Sequence, residues 1–194
     1  TLGPSDTSLD GQDLVVSGAT LTVAGNHTFA SLRLENGAIL THPPAPAGEP
    51  ANALRLQIAG DLTVDASSRI DASGCGGATA TFPGAGTRGA YSGGGGGHGG
   101  HGHAGGGDPA GRGGRAFGSL LDPDTWGGPG GNGDGNALAP GGGLIRITAG
   151  GTVTLAGTVL ADGTSATVNN QGGGAGGSIL IQAGTLRGAG RISA

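Results

Sequence analysis

The chain has no lysine and no methionine, a single cysteine, and only five aromatic residues among 194. Each shortage removes a class of explanation. One cysteine, Cys75, excludes an internal disulfide and reads most simply as a small residue at a loop start. Without lysine there is no lysine base, and none of the glycine runs ends in the Lys-Ser or Lys-Thr of a phosphate loop. With so few aromatic rings, base-stacking platforms and aromatic sugar-binding strips are hard to build. Charged residues make up 11%, and the balance is a formal net charge of -4. Nothing in it steers toward nucleic acid. No apolar run approaches the roughly 18 residues that span a bilayer, so no membrane span is expected. The absence of an initiator methionine and of a basic signal region leads us to expect a mature or excised segment of a longer precursor.

What is present is glycine. The chain holds 49, and 30 of them lie between Gly74 and Gly143. With a mean hydropathy of -0.03, the sequence is too apolar for an ordinary linker and is expected to fold as one domain over 1-194. All nine basic residues are arginine, and eleven of thirteen acids are aspartate.

Three segments repeat. Leu54 to Gly74 (LRLQIAGDLTVDASSRIDASG), Leu144 to Gly163 (LIRITAGGTVTLAGTVLADG) and Ile179 to Ala194 (ILIQAGTLRGAGRISA) each begin with alternating aliphatics, pass through Ala-Gly, and continue into further short alternating stretches. The spacing from Ile58 to Val64 is matched by that from Ile147 to Val153, and an earlier, looser copy runs through Leu14, Val16, Leu21, Val23, Leu32, Leu34 and Ile39. Alternation at period two puts Leu54, Leu56 and Ile58 on one side of a strand and Arg55 and Gln57 on the other. A repeat of about 20 residues with small residues at matching corners predicts an all-β, right-handed parallel β-solenoid, or β-helix, of five to six rungs. Asp65 and Asp71, with Arg69 nearby, are expected on its solvent-facing sides.

The period breaks over 75-142, which reads as a long glycine-rich insertion between a first solenoid part (1-74) and a second (143-194). A smaller proline-rich excursion, His42 to Pro50, leaves an earlier repeat in the same way. Gly96, Gly99, Gly102 and Gly105 keep a three-residue period, the one at which polyproline II strands pack side by side, so a partly ordered, polyglycine II-like bundle is expected.

The alternating aliphatic strands, the glycine blocks and the closing GGGAGGSILIQAGTLRGAGRISA (172-194) resemble glycine-rich β-helix modules of very large bacterial secreted and surface proteins. Gly93 to Gly107 also resembles the polyglycine II regions of phage tail-fibre adhesins, whose loops touch the host receptor. That resemblance implies a contact region in Arg115 to Trp126 (RAFGSLLDPDTW) and a binding surface drawing on Tyr91, Arg115, Phe117 and Trp126.

Candidate chemistry is sparse. His98, His101 and His103, with Asp108 following, form a histidine tract of the kind that holds zinc, copper or nickel. In polyproline II, His98 and His101 would stand about 9.3 Å apart, a poor bite. In an extended strand, His101 and His103 would stand about 6.7 Å apart on one face. GGNGDGNAL (130-138) resembles a calcium nonapeptide, with Asp134 one position early. A divalent ion is therefore the one cofactor to look for. Asp61, Asp65, Asp71, Asp122 and Asp124 could supply paired carboxylates, but a short column offers little cleft and there is no nucleophile motif, so an enzyme is not expected. Two functions are expected: an extracellular or cell-surface structural module that stacks end to end, into a fibre or layer or within a longer parent polypeptide, or an adhesin whose insertion holds a receptor or a cell-surface glycan.

Overall fold

The computed structural model describes residues 1-107, 109-133 and 137-194. Its regular structure is twelve β-strands and one three-residue 3-10 turn at Pro50–Asn52. The strands are β1 (Asp13–Ser17), β2 (Thr20–Thr22), β3 (Gly25–Phe29), β4 (Ser31–Glu35), β5 (Ile39–Thr41), β6 (Leu54–Ile58), β7 (Leu62–Val64), β8 (Arg69–Asp71), β9 (Leu144–Leu155), β10 (Thr158–Leu160), β11 (Ser178–Arg187) and β12 (Arg191–Ser193). Every pairing between them is parallel.

Two sheets result. The larger, of seven strands, runs β1-β4-β7-β9-β6-β3 with β11 added along β9; the smaller, of five, runs β12-β10-β8-β5-β2. The long strand β9 explains the shape of the first. Its Ile145–Ala149 half pairs with β6, and its Val153–Leu155 half pairs with β7. Between them lie Gly150 and Gly151, where the missing side chains let the strand turn; the Thr152 amide donates to the Asp61 carboxylate at 2.6 Å there. Two arms thus join one strand at different points, and the sheet curls into a half-barrel.

The core fills the space between the sheets. Leu34, Leu54, Val64 and Ile145 of the large sheet and Leu40, Ile70 and Val159 of the small one belong to a single buried cluster. In-register parallel pairing brings aliphatic onto aliphatic: Leu14 on Leu32, Val16 on Leu34, Leu54 on Ile145 and Leu56 on Ile147. A smaller cluster of Ala45, Ala53, Phe82, Trp126 and Leu144, with Phe117 against it, ties the proline-rich excursion and the glycine-rich interval to the start of β9.

The expected all-β right-handed β-solenoid of five to six rungs is corrected by this topology. The parallel strands are distributed over two sheets of unequal size, one curled into a half-barrel, and do not form a uniform column of like rungs. The β-helix description is corrected with it, and the fibre reading loses the column on which it was built. The repeat alignment also shifts: Ile147 pairs with Leu56 and Val153 with Leu62, two residues from the expected Ile58 and Val64. A slip of two keeps every inward side chain inward, so the hydrophobic pattern alone does not distinguish the two registers.

Asp65 and Asp71 hold turns rather than merely facing solvent. Asp65 accepts the backbone N–H of Asn36 at 2.8 Å and that of Ser67 at 2.9 Å. Asp71 pairs with Arg69 and accepts the Ser73 amide.

Candidate functional site

Glycine-rich chain between β8 and β9, joined by 171-177, forms a layer of extended segments cross-linked by backbone hydrogen bonds. The pattern has a three-residue period. Gly94 and Gly97 donate to Thr87 and Gly84 of one neighbour; Gly128 and Gly131 donate to Gly97 and Gly94. Gly111 and Gly114 donate to Ser92 and Gly95 of another. Residues between these turn to different segments, as when Gly95 donates to His103 and Gly96 to Gly173. Three residues per turn, with successive amides pointing to different neighbours, is the geometry of a polyproline II helix in a side-by-side array. Such spacing leaves no room for a Cβ: one added at Gly113 would overlap the Gly102 carbonyl, and one at Gly94 the carbonyl of Arg112.

From this layer the segment Ala116 to Pro123 projects as an arm. Between the arm and the ends of β11 and β12 lies an open cleft of about 840 Å³. His98, Phe117, Leu120 and Pro123 line one side, and Ile179 and Ile192 the other, with a floor of peptide groups from Gly96 and 175-177. Leu120 and Leu121 at the arm tip are 91% and 96% exposed. Ser178, in the cleft wall, is buried, and its hydroxyl has no hydrogen-bond partner among the described residues.

The histidines do not gather. His98 lies against the Phe117 ring, with centroids 5.1 Å apart, and its Nε2 is 2.9 Å from the Thr125 hydroxyl. Burial pulls its pKa below the usual imidazole value, while hydrogen bonds with the Gly176 and Gly177 backbone act in the other direction. His101 is exposed at the cleft edge, and the His103 ring bonds the Ala104 carbonyl. Among the described residues, no group of three His, Cys, Asp or Glu side chains could hold a metal ion. Asp108 and Asp134 lie outside the described residues.

Of the four residues expected to form a binding surface, only Phe117 reaches the cleft. Tyr91 is 61% exposed, with its Cβ against Gly107, and Arg115 is exposed. Trp126 is 5% exposed and packs in the smaller core cluster. Its indole N–H has no partner among the described residues. The expected contact stretch Arg115 to Trp126 contains Leu120 and Leu121, whereas sequence reasoning missed Ser178, Ile179 and Ile192.

The carboxylates weighed for catalysis are dispersed. Asp61 holds the bend of β9, Asp65 and Asp71 hold turns, and Asp122 pairs with Arg146 at 2.6 Å. Asp124 is exposed just past the arm. Among the described residues no helix is long and apolar enough to cross a membrane. Compared with family models, with curated proteins and with solved structures, the chain matches none.

Proposed function

We propose that the protein is a binding module that works outside the cell and holds a receptor or glycan in the cleft between the glycine layer and the ends of β11 and β12. The observation that carries this reading is the cleft, of about 840 Å³, with two leucines standing in solvent beside it. Large side chains at 91% and 96% exposure contribute nothing to the core, and clustered apolar exposure beside a concave surface is what a contact site requires. The floor supports the reading too. Its amides and carbonyls are held by the cross-links of the layer, so little conformational freedom is lost when a ligand arrives.

The test uses the full chain carrying Leu120→Asp and Leu121→Asp together. Excision of the whole arm-bearing segment would be a poorer choice, because residues 170-175 exchange hydrogen bonds with Gly93, Gly96 and Gly128. Wild type and variant are compared on a glycan array and on intact cells. Unchanged melting with binding weakened at least about ten-fold supports the proposal. Equal binding by both proteins rejects it.

A further inference from the structure

The outer face of the large sheet carries a polar groove that shares no lining residue with the cleft. Parallel, in-register pairing stacks equivalent outward positions of successive strands. Asn26 of β3, Arg55 of β6 and Arg146 of β9 form one row; Thr28, Gln57 and Thr148 form the next. Neighbours within a row stand about 4.8 Å apart, the spacing of paired strands. Together the six border a groove of about 180 Å³.

Stacking two arginines is unfavourable unless something offsets it. Arg146 is offset: its Nη1 donates to Asp122 at 2.6 Å, and the Pro123 carbonyl lies 3.4 Å away. Arg55 makes no side-chain hydrogen bond among the described residues. Burial lowers its pKa, proximity to Arg146 lowers it further, and the charges of Asp124 and Asp122 act in the opposite sense. A half-buried guanidinium offers a planar fork of donors suited to a carboxylate or sulfate. Around it, the amides of Asn26 and Gln57 and the hydroxyls of Thr28 and Thr148 can donate to and accept from sugar hydroxyls. A row that repeats from strand to strand suits a chain laid across the strands.

We propose that the groove formed by Asn26, Thr28, Arg55, Gln57, Arg146 and Thr148 binds an acidic polysaccharide, with Arg55 holding its carboxylate or sulfate. The groove shares no lining residue with the cleft, but the arm reaches both, since Asp122 and Pro123 bond Arg146 and Pro123 also lines the cleft. A protein of net charge -4 has no overall attraction for such a polymer, and a variant at an arginine outside the groove separates the groove from other basic positions.

Native gels cast with polygalacturonate, dextran sulfate, neutral dextran or single-stranded DNA test the assignment. Wild type should be retarded by one or both acidic polysaccharides and not by neutral dextran; which of the two acts distinguishes a carboxylate from a sulfate. Arg55→Gln should weaken that retardation at least about ten-fold, the scale of a hydrogen bond to a charged group. Gln57→Glu, which places a negative charge in the groove without removing Arg55, should do the same. Asp124→Asn should strengthen binding, and Arg187→Gln, on β11 outside the groove, should leave it unchanged. Failure of both acidic polysaccharides to retard wild type overturns the proposal. So does an unaltered Arg55→Gln, an equal loss in Arg187→Gln, or equal retardation by DNA, each of which would reduce the effect to general charge.

Discussion

The ring of His42 joins two parts of the chain 102 positions apart: its Nε2 accepts the backbone N–H of Leu144 at 3.1 Å, while its Nδ1 lies 2.7 Å from the Pro43 carbonyl. One ring nitrogen must accept and the other donate, which is the neutral tautomer with the proton on Nδ1. His42 is 1% exposed, and burial lowers its pKa below the ordinary value, against a smaller opposing effect of the Pro43 bond. Because the folded protein binds this proton less readily than the unfolded chain, the stabilisation is fully present above about pH 6.5. It is lost as pH falls through the lower folded value. Thermal melting followed downward from neutral pH should show this loss, and His42→Leu should flatten the dependence. The variant should also be destabilised by about 1–3 kcal/mol, because the buried Leu144 amide loses its acceptor.

Asp65 sets a second, lower acid limit. Hydrogen bonds from the Ser68 hydroxyl, then from the Asn36 amide, and more weakly from Ser67, hold its carboxyl well below the usual carboxylate range. A depressed folded pKa means stability present above the unfolded value, near about pH 4, and lost below it. Asp65→Asn should therefore lower the melting temperature at neutral pH, with the difference from wild type shrinking as pH drops below about 4. A difference that stays constant across the acid range would show that the charge is not what matters.

The glycine layer should be intolerant of a single methyl group. Gly113→Ala drives a Cβ into the Gly102 carbonyl, and overpacking of this kind costs about 1–3 kcal/mol. Hydrogen exchange should show lost protection at Gly102, Gly111 and Gly114, while Leu54, Ile145 and Ile147 in the sheet stay protected. Alanine at Gly99, where no atom lies within 4 Å of the added carbon, is the control and should leave both regions unchanged.

Ile70 reports on the contact between the sheets. It is fully buried in the small sheet, between Leu40 and Val159 in register. Ile70→Ala should cost about 2–5 kcal/mol in denaturant unfolding. A loss under about 1 kcal/mol would mean that the two sheets do not share one core.

The strands were legible because they obey period two. Leu54, Leu56 and Ile58 alternate with Arg55 and Gln57, and the same alternation returns at Leu144 and Ile179. The assembly of those strands into two sheets was less legible, since it turns on Gly150 and Gly151 within β9, and glycine pairs at corners read alike in a coil and in a bent strand. The candidate site was mostly hidden. The histidine tract looks like a metal site in one dimension, yet His98 turns toward Phe117 and Thr125 while His103 turns onto its own backbone. Trp126 looks like a contact residue in a loop and is instead a wedge beneath it. The stacking of Arg55 on Arg146 joins residues 91 positions apart, and no local pattern predicts which strands become neighbours.

A floor made of peptide groups has no side chains to exchange. Chains that share this layer would therefore present nearly the same backbone surface at the base of the cleft, whatever they bind. Discrimination then resides in the side chains of the walls: Ala116 to Pro123, a stretch of eight residues in one continuous segment, together with His98, Ile179 and Ile192. Grafting a different arm onto the same layer should redirect recognition and leave the foundation intact, as new type is set in an old frame.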